Sequence, residues 1–246
     1  MRKTWAIIRR ELIAYFSSPL AYIVMTAFLL MQGYIFYLIV SFLNNPQTPS
    51  MTPLRLFFGG TIFFWLFLLF VVPVITMRLI AEERRSGTIE VLLTSPVSEL
   101  QVVVGKFLAA LGFYASLWLP TVLYVVVLKR HSEIDLGPVV AGYIGVFLLG
   151  FLFLAVGTFA STLTDNQLIA AIIAFAVMVL LFSIGLVEQL MSTSFIKAGL
   201  AHMNLWTQMD DFAKGIVDSR HVVYQLSAGL LFLFLAAKSL EVKKWR

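Results

Sequence analysis

The chain has 246 residues, of which 60% are hydrophobic and 13% charged, and its mean hydropathy is +0.93. Soluble domains run nearer half apolar and a quarter charged, so this composition excludes an ordinary water-soluble domain and points to burial in lipid. The formal net charge is +5 and cysteine is absent, which excludes disulfides, a thiol nucleophile and thiolate metal sites.

Residues 1–19, MRKTWAIIRRELIAYFSSP, open like a secretory signal but fail as one. Arg9, Arg10 and Glu11 interrupt the apolar run, and no small-residue cleavage site follows. Trp5, Ile8, Leu12, Tyr15 and Phe16 recur at helical spacing, while Arg2, Arg9 and Arg10 fall mostly on another side. The pattern predicts an amphipathic helix over 1–17 lying among lipid headgroups.

A membrane-crossing helix needs roughly 20 mostly apolar residues. Six segments qualify: Pro19 to Leu43, Leu56 to Ala81, Leu100 to Leu128, Pro138 to Leu163, Leu168 to Val187, and Val222 to Leu240. Pro73 predicts a kink in the second and Pro120 interrupts the third. Ser98 and Gln101 have capping-box spacing ahead of the third. Thr164 to Gln167 forms a tight turn in which Asp165 is expected to cap the fifth span. Ala170 and Ala174, four apart, allow close helix packing.

Cation placement predicts orientation, because Lys and Arg concentrate on the cytoplasmic side. One side receives Arg2, Lys3, Arg9, Arg10, Arg78, Arg84, Arg85, Lys106, Lys238, Lys243, Lys244 and Arg246. The other receives Arg55, Lys129, Arg130, Lys197, Lys214 and Arg220. Both termini are therefore expected in the cytoplasm, and the positive charge reflects the membrane face rather than nucleic-acid binding.

Between the second and third spans lies the charged stretch of the first half. Arg78 is placed to snorkel to the interface. The helix is expected to run through Glu82, Glu83 and Arg84 to Arg85 and to turn at Gly87. Thr88 then caps a short helix in which Ile89, Leu92 and Leu93 share one face and Glu90 lies elsewhere, ending at Pro96. An ordinary solvated loop has few apolar residues. Three on one face of an exposed helix instead imply a soluble partner that covers them.

The stretch AEERRSGTIEVLLTSPVSELQVVVGKFLAA, residues 81–110, resembles the hallmark of the ABC-2 type permease family, the membrane subunits of one class of ATP-driven exporters. The elements that carry the resemblance are Glu82, Glu83, Arg84, Gly87, Thr88, Glu90, Leu92, Leu93, Pro96, Gly105 and Lys106. Among subfamilies the chain looks most like permeases associated with gliding motility and with nitrous-oxide-reductase maturation.

The resemblance implies an all-α integral membrane fold over 1–246 as a single transmembrane domain. It has an elbow helix at 1–17, a coupling-helix loop at 82–97 and an outer segment at 188–221. It also implies that Glu82, Glu83, Arg84, Gly87, Thr88, Ile89, Glu90, Leu92 and Leu93 couple to an ATPase. Glu82, Glu83 and Arg84 are expected to pair with charges on that ATPase or on the elbow helix, and Leu92 and Leu93 to fill its cleft. The partners implied are a pair of ABC ATPase subunits, a second copy or a related permease, and a periplasmic or accessory membrane protein. ATP and Mg would be bound by the ATPase: this chain has no G-x-x-x-x-G-K-[ST] run, since Phe107 follows Gly105 and Lys106. The chain itself is expected to be non-catalytic, in a prokaryotic inner membrane.

The span interiors carry no Asp, Glu, Lys, Arg or His apart from Arg78, Lys106 and Lys238, all expected near a cytoplasmic end, which disfavours a proton-coupled carrier. Gln32, Thr61, Ser116, Thr121 and Ser183 are expected mainly as helix-packing hydrogen-bonders. In the outer segment, Phe195, Leu200, Met203, Trp206, Met209, Phe212 and Ile216 recur at steps of three to five, predicting short interfacial helices. His202, Asp210, Asp211, Asp218 and His221 lack tight ligand spacing and read as a solvated polar face rather than a metal site. An intramembrane enzyme would need an H-E-x-x-H or comparable set at membrane depth, and none stands out. A membrane anchor or force transmitter acting on a periplasmic partner is the alternative to transport.

Overall fold

A computed structural model describes residues 2–43, 52–87, 98–131, 134–190 and 195–244. Among them, six helices are long and apolar enough to cross a membrane: Pro19–Leu43, Ile62–Arg85, Glu99–His131, Leu136–Leu163, Gln167–Leu190 and Ser219–Val242. A further helix, Arg2–Ser17, precedes them, and Phe195–Met203 and Leu205–Ala213 lie between the fifth and sixth spans. No strand occurs among the described residues. The protein is an all-α integral membrane protein with six spans.

The fourth span is the centre of the bundle and packs against the second, third, fifth and sixth. Its sequence explains this position. Gly142, Gly145, Gly150 and Gly157 leave hollows occupied by Phe58, Phe212, Tyr114 and Thr76 from neighbouring elements, where an added β-carbon would collide. Small residues let helices approach where lipid offers no hydrophobic drive to associate. Ala170, Ala174 and Met178 bury the corresponding face of the fifth span.

Prolines set the breaks. The second span is helical over Ile62–Thr76, passes through turns at residues 77–80 just after Pro73, and resumes as Ala81–Arg85. Met77 N–H donates to the Pro73 carbonyl at 2.8 Å, and Leu79 N–H to that of Thr76 at 3.1 Å. In the third span, Leu119–Thr121 tightens around Pro120. There Thr121 Oγ1 donates to the Trp118 carbonyl at 2.6 Å and contacts Tyr143 Oη at 2.9 Å.

Helix starts follow their capping residues. Ser98 and Gln101 form the expected capping box, both bonds at 3.3 Å. The expectation for Asp165 is corrected: Asn166 Oδ1 accepts from Leu168 N–H at 2.9 Å and Ile169 N–H at 3.4 Å, so Asn166 caps the fifth span. An uncharged amide at that position reaches the first-turn donors as well as a carboxylate does. Of the interior polar residues, Ser116 and Ser183 bond carbonyls in their own helices, whereas Gln32 Nε2 and Thr61 Oγ1 have no partner among the described residues.

Candidate functional site

At the end of the bundle that carries the N-terminal helix, five elements converge. Gly105 and Gly112, seven apart on the third span, line the seat of that helix. A β-carbon at Gly105 would stand 2.9 Å from Ile7 Cγ2, and one at Gly112 would stand 3.3 Å from Leu12 Cδ2. The Tyr15 ring then stacks on Phe113, centroids 5.0 Å apart and planes 9° from parallel. Its hydroxyl donates to the Ile75 carbonyl at 2.8 Å. That carbonyl is available because Leu79 N–H, its ordinary helical partner, has turned to Thr76. Burial first, and then the Glu11 charge, push the Tyr15 hydroxyl's pKa far above its ordinary value, so it remains a neutral donor.

The close approach at Gly105 brings opposite charges together. Lys106 is 1% exposed, and its Nζ lies 3.1 Å from Glu11 Oε1 and 3.0 Å from Glu83 Oε1. Arg10 Nη2 meets the same two carboxylates, each at 2.8 Å. Burial alone would raise the pKa of Glu11, but the Lys106 charge and the hydrogen bonds from Arg10 and Lys106 outweigh it and hold it below its ordinary value. Two cations against two carboxylates leave the cluster neutral. An ammonium buried without partners would cost several kcal/mol, on the order given for any desolvated ion.

A second bracket joins the break in the second span to the fourth. Ser161, fully buried, accepts from the backbone N–H groups of Ile80 and Ala81, both at 3.0 Å, and donates to the Met77 carbonyl at 3.3 Å. Helix starts leave such amides without intrahelical partners. Here a neighbouring span supplies the acceptor.

The sequence-predicted residues divide as follows. Glu83 enters the ion cluster and pairs with the N-terminal helix through Arg10. Glu82 is exposed and Arg84 half-buried, and among the described residues neither forms an ion pair. Gly87 makes the expected turn, with φ +71. Thr88, Ile89, Glu90, Leu92 and Leu93, and so most of the 82–97 loop, lie outside the described residues. Sequence reasoning missed Glu11, Tyr15 and Ser161 and placed Lys106 as a cation near a span end. The Gly105–Lys106 pair, with a second glycine seven residues on, was the available signal. Of the apolar face expected on the N-terminal helix, Leu12, Tyr15 and Phe16 meet the third span. Ile7, outside that set, packs there too, whereas Trp5 is 65% exposed.

At the opposite end of the bundle, Asp210 and Asp211 meet basic side chains. Arg55 grips Asp210 through Nε at 2.7 Å and Nη2 at 3.2 Å, and Lys214 reaches the same carboxylate. Burial would raise the pKa of Asp210, but these two cations hold it below its ordinary value. His221 Nε2 lies 3.0 Å from Asp211 Oδ2. Met209 and Phe212 are fully buried beneath this polar surface, so the helix Leu205–Ala213 anchors as an amphipathic cap.

Residues 46–202, well over half the chain, match a family described as ABC-2 family transporter protein. The matched region runs from before the second span to the end of the helix Phe195–Met203, and so includes Glu83, Gly105, Lys106 and Ser161. No curated protein matches the chain.

Proposed function

Because the chain belongs to the ABC-2 transporter family and spans the membrane six times, we propose that it couples ATP hydrolysis by a separate ATPase to movement of a substrate across the bilayer. On this reading the face bearing the N-terminal helix is cytoplasmic, in a prokaryotic inner membrane, with both termini inside. The chain is non-catalytic, and ATP with its Mg ion is bound by an ABC ATPase pair. It works with a second copy of itself or a related permease, and an accessory or periplasmic protein engages the outer helices.

The observation that carries the proposal is the double clamp on Glu83. This residue lies in the last helical piece of the second span, Ala81–Arg85, which leads toward residues 88–97, and it is fixed by Arg10 of the N-terminal helix and Lys106 of the third span. A push on that loop is then transmitted to two further helices, and through Ser161 to a third, rather than dissipated at a flexible joint. Leu92 and Leu93 are the side chains that fill the ATPase cleft, as an apolar helix face fills a groove.

The absence of cysteine makes the test direct. Thr88→Cys and Glu90→Cys are expected to react with a membrane-impermeant thiol reagent only after the cells are opened. Leu92→Asp with Leu93→Asp is expected to abolish co-purification of the ATPase and substrate-stimulated hydrolysis. Labelling of Thr88→Cys in intact cells would end the proposal.

A further inference from the structure

A cavity of about 340 Å³ opens between the N-terminal helix and the first two spans, bordering the ion cluster. This volume falls in the range of small-molecule sites, roughly 300–1,000 Å³. Leu20 and Val24 of the first span, Val74 and Leu79 of the second and Phe113 of the third supply an apolar wall. Six charged residues line the remainder: Arg10, Arg78 and Lys106, against Glu11, Glu82 and Glu83.

Four of these six satisfy one another in the cluster. The other two are Arg78 and Glu82, and among the described residues neither forms an ion pair. Arg78 makes one long hydrogen bond, from Nη1 to Ser18 Oγ at 3.4 Å. Ser18 immediately precedes the first span, so this contact lies at the N-terminal end of that span. One cavity therefore offers a cation and an anion, four residues apart in sequence, at the end of the first span beside an apolar wall.

We propose that this cavity binds a membrane phospholipid through a phosphoethanolamine headgroup, with the phosphate on Arg78, the ammonium on Glu82 and the acyl chains leaving along Leu20 and Val24. A guanidinium is suited to phosphate oxygens, and a primary ammonium donates to a carboxylate where a quaternary one cannot. Because the ion cluster is neutral, Arg78 and Glu82 leave the cavity one cation and one anion, which match a zwitterionic headgroup better than a net-negative one. A soluble phosphoester lacks the tail that the apolar wall accommodates. The site is complete in this single chain and does not depend on the coupling proposed above.

The test uses the full-length chain, delipidated in detergent, with the thermal midpoint read against added phosphatidylethanolamine, phosphatidylglycerol, phosphatidylcholine and glycerophosphoethanolamine. Phosphatidylethanolamine is expected to raise the midpoint most, and the tailless headgroup to leave it unchanged. Arg78→Gln is expected to weaken phosphatidylethanolamine binding about tenfold, the loss of one charge-assisted contact. Glu82→Gln changes an exposed side chain and leaves folding intact. It is expected to remove a preference of about threefold for phosphatidylethanolamine over phosphatidylglycerol, the scale of a partly exposed ion pair. If Arg78→Gln does not fold, Glu82→Gln decides alone. Equal stabilisation by all three lipids, or a phosphatidylethanolamine preference that survives Glu82→Gln, overturns the proposal. A response to glycerophosphoethanolamine equal to that of the lipid also overturns it and assigns the cavity to a soluble phosphoester.

Discussion

Lys106 Nζ and Glu11 Oε1, ninety-five residues apart in sequence, stand 3.1 Å apart at the junction of the N-terminal helix and the third span. The lysine is buried, and its two carboxylate partners are mostly so. Removing the lysine leaves two largely buried carboxylates to share Arg10. Lys106→Met is therefore expected to destabilise the protein by about 3–5 kcal/mol, seen as a lower thermal midpoint in detergent. Combining it with Glu11→Gln and Glu83→Gln is expected to restore much of the loss. If the triple variant is no more stable than Lys106→Met, the damage comes from packing rather than charge.

The depressed pKa of Glu11 sets a pH dependence. A carboxylate whose folded-state pKa lies below its unfolded value, roughly 4.3 for Glu, stabilises the fold fully above that value. This contribution disappears as pH falls through the folded-state pKa. The stability difference between the wild type and Glu11→Gln is thus expected to be largest near neutrality and to shrink toward zero in acid, starting below about pH 5. A difference that stays constant down to strongly acidic pH would show that Glu11 acts through shape alone.

Ser161→Ala removes the acceptor shared by the Ile80 and Ala81 amides without opening a large cavity. Two buried donors then lack a partner, at a cost of about 1–3 kcal/mol. Ser161→Thr retains the hydroxyl and is expected to lie between the two. Amide hydrogen exchange at Ala81 should accelerate in Ser161→Ala more than at residues in the middle of the fourth span. Unchanged exchange would mean that the break in the second span is held by other contacts.

Gly105→Val places a side chain where Ile7 now sits, and overpacking of this kind costs about 1–3 kcal/mol. The expected consequence reaches beyond stability, because the N-terminal helix must lift and Lys106 loses Glu11. A cross-link between cysteines introduced at Tyr15 and Phe113, whose rings stack 5.0 Å apart, should form in the otherwise wild-type chain and fail when Gly105→Val is added. Equal cross-linking would show that the helix accommodates the change in place.

The chain's own residues determined the class, the number of spans, the prolines that break them and the capping box at Ser98, because each depends on local composition or spacing. Bulk hydropathy over about 20 residues has one solution in lipid, a helix with its backbone bonds internal. The segment 81–110 was also legible as a family hallmark, since its charges, glycines and leucines lie close together in sequence. What only the tertiary structure decided is which distant residues meet. Glu11 and Lys106 look like surface charges until two glycines in the third span bring the N-terminal helix close enough for a buried ion pair. Ser161 reads as one more small residue until a proline-associated break in another span exposes two amides beside it. Periodicity reports which face of a helix is apolar, but not which partner covers it. That is why the face turned to the bundle by the first seventeen residues, and the cavity beneath it, became visible only once the helices were packed.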